Sequence, residues 1–360
     1  MSPSPDAPLL GRRGLLLGAG ALGAGAALTA CTSNSVASSA PSSAANASVA
    51  TGTGSGNDTP GKAVTIGFSA PAADHGWIAA ITTNAQSEAK KYSDVTLQAV
   101  EGSNDVNQQI SQVQTLIDKK VDALVILPFD GKALTEIAIK AQTAGIPVIN
   151  LDREFDSPRG SRTLIKGDNY GMGLAAGTYI AAQLKAKGVS NPVIAEIQGI
   201  ANLPLTQDRS KGFADALNSA GFKVSNQVAA AFTVESGQKV TADLLQAAPK
   251  IDAIWNHDDD QGIGVLAAID QANRKEFFMV GGAGSLNAMN AIKADDGVLK
   301  ATVTYPPSMA SSAIKLARLI AQGKSMSDLV ENEVPALITL ASATVTKENV
   351  DKYLPLGFKS

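Results

Sequence analysis

Two arginines, a few carboxylates and a set of aromatics are the residues of this chain best suited to chemistry. Asp152 and Arg153 are adjacent, Arg209 follows Asp208, and Asp258-Asp259-Asp260 come directly after Trp255-Asn256-His257. His75 and Trp77 stand two apart, and Phe232 and Tyr305 each close an apolar run. Carboxylates and guanidinium forks make charge-assisted, often bidentate hydrogen bonds to hydroxyl groups. Aromatic planes cover apolar C–H faces with few rotors to freeze. Together they suit noncovalent capture of a small molecule that carries both hydroxyls and C–H faces, as a sugar does.

The chain offers less for covalent chemistry. It has no Gly-x-Ser-x-Gly elbow. After the first β-branched run stands Gly67-Phe68-Ser69-Ala70-Pro71 instead of a dinucleotide-binding glycine fingerprint. Two histidines and one cysteine cannot build the usual His/Cys zinc site. The three aspartates in a row would point in different directions on a helix, so neither a metal nor another cofactor is expected. Asp260 is expected to cap that helix, where the positive end of the dipole favours a carboxylate. A net charge of −3 gives no electrostatic case for nucleic acid as a partner.

The elements that must position these residues follow a regular alternation. Apolar, β-branched runs recur at 64–68, 96–100, 123–127, 147–151 and 163–165, and again at 193–197, 228–232, 253–256, 278–281 and 301–304. Segments with helical spacing separate them; Ile110, Val113, Leu116 and Ile117, for example, share one face. Strands alternating with helices predict an α/β protein made of two doubly wound lobes, each a parallel sheet covered on both faces. Ligands of such sheets bind at the carboxyl ends of strands. His75 and Trp77, Asp152 and Arg153, Asp258 and Tyr305 lie beyond expected strands, Gln198–Asn202 leads into Arg209 after another, and Phe232 ends one.

Several blocks carry a family resemblance from about Val64 to Leu340. They are Val148-Ile149-Asn150-Leu151-Asp152-Arg153, Gly167-Asp168-Asn169, Glu196-Ile197-Gln198-Gly199-Ile200-Ala201, Arg209 with Gly212-Phe213, and the Gly297–Val303 strand. In order and spacing they resemble the ribose-type periplasmic sugar-binding proteins, solute receptors of ABC importers. The resemblance implies a periplasmic-binding-protein type I fold whose lobes are joined by three crossings, near residues 167, 305 and 337. The lobes would comprise 63–167 plus 306–336 and 168–305 plus 337–360. By position, Trp77 and Phe232 are similar to the family's stacking aromatics, Asp152 and Arg153 to its acceptor–donor pair, and Arg209 to its second fork. His75 falls where the family often has Asn, Ile78 where a second aromatic is common, and Asp258 where the ribose binder has Asn. Ala283 replaces a family Asp, and Tyr305 a hinge-proximal Gln. Ribose should therefore fit poorly, and another pentose, a hexose or a sugar alcohol is the expected ligand. The expected partners are that ligand and the permease subunits of an ABC importer, the expected state is a monomer, and no enzymatic activity is expected. A receptor that passes a sugar-like signal molecule to a membrane sensor is the alternative role.

The amino-terminal segment sets an address. Arg12-Arg13 precede an apolar, small-residue run from Gly14 to Ala27, followed by Leu28-Thr29-Ala30-Cys31. The run falls short of the roughly 20 residues a membrane-spanning helix needs and reads as a signal peptide over 1–31. The paired arginines suit a twin-arginine address. Leu28–Cys31 resembles the lipobox of bacterial lipoproteins, which implies acylation of Cys31 and an extracytoplasmic protein anchored to the cell membrane. Residues 32–62 are mostly Ser, Ala, Thr, Gly and Asn, a composition expected to form a disordered linker.

Overall fold

The computed structural model describes residues 57–326 and 334–360. The expected signal peptide, Cys31 and most of the expected linker lie outside the described residues. The first lobe holds β1 (Val64–Ser69), α1 (Gly76–Ala89), β2 (Val95–Ala99), α2 (Val106–Asp118), β3 (Ala123–Ile126), α3 (Gly131–Thr143), β4 (Val148–Leu151) and β5 (Thr163–Gly167). The chain then crosses to the second lobe for α4 (Asn169–Ala186), β6 (Ile194–Gln198), α5 (Pro204–Ser219), β7 (Asn226–Ala229) and α6 (Val234–Ala247). That lobe continues with β8 (Ala253–Asn256), α7 (Asp259–Gln271), β9 (Phe278–Ala283), α8 (Leu286–Ala294) and β10 (Leu299–Thr304). α9 (Met309–Ala321) and β11 (Leu337–Leu340) return to the first lobe, and β12 (Thr344–Thr346) with α10 (Val350–Tyr353) finishes in the second.

Each lobe contains a six-stranded sheet, ordered β11-β5-β4-β3-β1-β2 and β12-β10-β9-β8-β6-β7. All pairings are parallel except that of β12 with β10. Strands β3, β4 and β8 are buried along their whole length, because helices cover both faces. This is why Ala123–Ile126 and Val148–Leu151 read as near-continuous apolar runs and show no alternation.

Two expected boundaries need correction. Leu337–Leu340 pairs in parallel with Leu164–Gly167 of β5, so it extends the first sheet and does not belong to the second lobe. The third crossing is therefore at residues 341–343, between β11 and β12, and not near 337. The reason is edge pairing: β5 would otherwise expose a row of unpaired main-chain groups.

The end of the expected linker is also ordered by its contacts. Arg318 Nη1 donates to the carbonyl of Asn57 and Nη2 to that of Thr59, at 2.7 and 2.9 Å. Gly61 N–H donates to Asp94 Oδ2 at 2.5 Å, and Gln322 Nε2 to the Lys62 carbonyl at 2.7 Å. Arg318 is itself fixed to Asp94 by two bonds, Nε to Oδ1 at 2.8 Å and Nη2 to Oδ2 at 2.7 Å. Residues 57–62 are thus laced onto the first lobe by buried charge, which their small-residue composition did not indicate.

Candidate functional site

The site begins at the carboxyl ends of the strands. Asp152 follows β4 and adopts φ +65°, in the left-handed region that side chains other than glycine rarely occupy. In an extended strand, neighbouring side chains point to opposite faces. The left-handed turn at Asp152 breaks that alternation, so Asp152 and Arg153 both reach one cavity. Asn150 fixes the turn from below, donating from Nδ2 to the Arg153 carbonyl at 2.9 Å and accepting from Phe155 N–H at 3.1 Å.

The same backbone device recurs twice. Phe232 has φ +64° and Ala283 φ +92°, and both line the cavity. Conformations of this kind cost about 1–3 kcal/mol each and persist where the surroundings over-determine them. The Phe232 N–H is held by Gln261 Oε1 at 2.9 Å, and the Ala283 carbonyl accepts from Tyr305 N–H at 2.9 Å. Phe232 therefore sits in a loop after β7 and not at the end of the expected strand over 228–232.

The cavity is small, about 30 Å³, and is lined by residues of both lobes. His75, Trp77, Asp152 and Arg153 come from the first, Leu205, Arg209, Phe232, Asp258 and Ala283 from the second, and Tyr305 from the second crossing. Trp77, Asp152, Arg209, Phe232, Asp258 and Tyr305 are all buried. The His75 and Phe232 rings face each other across it, 6.4 Å apart and 27° from parallel.

Neither arginine hydrogen-bonds a carboxylate among the described residues, although the charge of Asp152 acts on Arg153. Arg153 Nη1 donates to the Phe129 carbonyl at 2.8 Å, and its buried Nε has no partner. Arg209 Nε donates to Asn169 Oδ1 at 2.9 Å, and Nη1 to the His257 carbonyl at 3.3 Å. The Arg209 guanidinium also lies over the Tyr305 ring, 4.6 Å from its centre. The forks are held in place by main-chain and amide oxygens, which leaves part of their hydrogen-bonding capacity for a guest.

Tyr305 joins the two halves. Its hydroxyl donates to Asp152 Oδ1 and accepts from Asn169 Nδ2, and its carbonyl accepts from Trp77 Nε1 at 2.9 Å. Its ring fits because residue 167 is glycine: a Cβ there would lie 2.1 Å from a ring carbon. Gly199 does the same for Phe232, whose ring carbons would be 1.9 Å from an added Cβ.

The three aspartates go to three destinations. Asp258 faces the cavity and also caps α7, its Oδ1 accepting from the N–H groups of Asp260 and Gln261 at 2.9 and 3.0 Å. Asp259 turns away to accept from Gly282, Gly284 and Ser285 N–H and from Thr302 Oγ1. Asp260 reaches across the cleft to Trp77 N–H at 2.8 Å. The helix cap is therefore Asp258 and not Asp260, because the residue just before the first helical turn is the one whose oxygen meets the free N–H groups.

Burial pushes the Asp258 carboxyl up to about 6, reinforced by the neighbouring charge of Asp260. Burial also raises Asp152, against the opposing effect of the Tyr305 hydroxyl. Burial acts to lower His75, but the hydrogen bond to Asp74 and the charge of Asp258 outweigh it and hold the imidazole above its ordinary value.

Nine of the ten expected contact residues line this cavity. Ile78 does not: it is fully buried in the main apolar core with Ile81 and Phe68. One helical step beyond Trp77 turns the side chain by about 100°, away from the cleft mouth. Leu205 was missed, although it lies one helical turn before Arg209, at the i, i+4 spacing that places two side chains on one face.

Comparison with known proteins agrees with this architecture. Residues 66–325 match the family described as periplasmic binding protein domain. A ribose import binding protein of Bacillus subtilis is 32% identical over 248 residues, 69% of this chain and 78% of the relative. A galactofuranose-binding protein of Escherichia coli is 29% identical over 308 residues, 82% of this chain and 93% of the relative. The crystal structure of an ABC transporter solute binding protein from Mycobacterium smegmatis with bound glycerol has a TM-score of 0.73 at 28% identity. It covers 83% of this chain and 99% of that one.

Proposed function

Since the chain belongs to the periplasmic binding protein domain family, as a ribose-type sugar-binding protein, we propose that it is a lipid-anchored extracytoplasmic receptor. It captures one small sugar or sugar alcohol by closing its lobes and delivers it to the permease of an ABC importer. One observation carries this reading. Two guanidinium forks and two carboxylates, together with facing aromatic rings from both lobes, converge on a single small cavity, and the forks, the carboxylates, Trp77 and Phe232 are buried.

The physical case is direct. A polyol presents hydroxyls that donate and accept around its rim and C–H bonds on its faces. Asp152 and Asp258 accept, Arg153 and Arg209 donate, and Trp77, His75 and Phe232 supply planes. Closing the lobes excludes water, which strengthens each of these bonds. Relatives named for ribose and galactofuranose and a fold neighbour with bound glycerol support a polyhydroxylated ligand.

A thermal-shift screen of pentoses, hexoses, pentitols and hexitols tests it. A true ligand at about 100 times its dissociation constant should add about 2.7 kcal/mol of stability. Arg209→Ala should abolish the shift while the variant stays folded. If no polyol raises the melting temperature and an amino acid or nucleoside does, the reading fails. Anchoring is tested separately: Cys31→Ser should move the protein from the membrane to the soluble fraction of its host.

A further inference from the structure

We propose that Tyr305 is a rigid wall that limits the size of the ligand at the hinge end of the cavity and admits a ring that ends in a bare C–H edge there. This inference rests on reading the cavity as a polyol site. Tyr305 follows β10 in the second crossing, so its ring closes the cavity on the side where the lobes are joined.

The wall cannot yield by rotation. The hydroxyl is held from both directions, donating to Asp152 Oδ1 and accepting from Asn169 Nδ2 at 3.1 Å. The Arg209 guanidinium covers one face of the ring, and the Gly167 backbone lies against its edge. Both main-chain polar groups are engaged as well, the N–H with Ala283 and the carbonyl with Trp77. A substituent on the ligand that meets this ring has nowhere to push it, since close-packed interiors transmit strain and do not absorb it.

The hydroxyl also takes one of the two Asp152 oxygens, which leaves the other for a ligand hydroxyl. Size and hydrogen bonding are thus set by one side chain but by different parts of it. The ring limits extent, and the hydroxyl limits how many ligand groups Asp152 can accept.

The test uses calorimetric dissociation constants for aldose pairs that share configuration and differ by one hydroxymethyl group. The pairs are D-ribose with D-allose, L-arabinose with D-galactose, and D-xylose with D-glucose. In the wild type, the pentose of a bound pair should bind at least about tenfold tighter than its hexose, the discrimination one such group commonly gives. Tyr305→Ala should shrink that ratio about tenfold, and Tyr305→Leu should give an intermediate value. Tyr305→Phe keeps the ring and should preserve the ratio while altering the affinity of both members. A hexose that binds the wild type as well as its pentose overturns the proposal. So does a ratio unchanged in both Tyr305→Ala and Tyr305→Leu. If no polyol binds the wild type at all, the polyol reading itself fails and this inference falls with it.

Discussion

The main-chain N–H of Trp77, at the start of the first lobe's first helix, donates to Asp260 Oδ2 of the second lobe at 2.8 Å. The indole N–H of the same residue donates to the Tyr305 carbonyl in the second crossing. Trp77 thereby ties the first lobe to the second lobe and to the second crossing, which sets its orientation. Asp260→Ala removes the bond across the cleft and leaves a buried N–H without a partner. Ligand affinity should fall about tenfold, chiefly through faster release. Stopped-flow dissociation rates check this, and an unchanged off-rate would show that Asp260 does not hold the closed state.

Gly167 and Gly199 are needed for the space they leave. A Cβ at either would press into the ring of Tyr305 or Phe232, within 2.1 and 1.9 Å respectively. Gly167→Ala and Gly199→Ala should displace those rings into the cavity and reduce ligand affinity at least about tenfold. The stability cost should stay near the 1–3 kcal/mol typical of overpacking. Calorimetry together with thermal denaturation separates the two effects. Full affinity in either variant would contradict the placement of the ring it touches.

Asp258 should trade stability for binding. Its folded carboxyl lies at about 6, above the ordinary aspartate value. A raised acid is protonated more readily in the folded state than in the unfolded chain, so its contribution to stability weakens as pH rises from about 4 to 6. Asp258→Asn removes the charge and keeps a good helix cap. The variant should be more stable than wild type at pH 7.5, by of the order of 2 kcal/mol, with the difference closing near pH 4. It should also bind the ligand more weakly, because an amide is a poorer acceptor than a carboxylate. Denaturation across pH decides; a variant destabilised at pH 7.5 would refute the assignment.

The Arg318–Asp94 pair should govern the stability of the first lobe. The Arg318 fork holds the Asp94 carboxyl well below the usual carboxylate range. Because the folded value is depressed, this stabilisation is complete above about pH 4 and is lost as pH falls toward the folded value. Asp94→Ala leaves a buried guanidinium without its partner and should cost about 3 kcal/mol at pH 7. The gap between variant and wild type should narrow in acid, as urea denaturation at pH 7 and pH 3 would reveal.

Much of the site was legible because binding residues of doubly wound sheets follow strands, and strands of this kind announce themselves as apolar runs. Asp152, Arg153 and Asp258 could be located from that rule alone. Ala283 needed the family pattern, since nothing in an alanine signals a cavity. The helix cap was misassigned between Asp258 and Asp260 because adjacent carboxylates are equivalent in sequence and become distinct only when one meets Trp77 across the cleft. The edge strand Leu337–Leu340 was given to the wrong lobe because pairing partners 173 residues apart leave no local trace. The lacing of residues 57–62 was invisible for the same reason: its partners, Asp94 and Arg318, are distant and charged, whereas the stretch itself is bland.

That lacing has a mechanical consequence. A pull on the chain ahead of Asn57 would meet the Arg318–Asp94 pair of the first lobe first. If capture proceeds by the proposed closure, the first lobe is then the fixed jaw and the second lobe the one that swings. The lacing also lies at the amino end of β1, whereas His75 and Trp77 lie beyond its carboxyl end. The mouth therefore opens at the opposite end of that strand from the mounting point, toward whatever lies away from it.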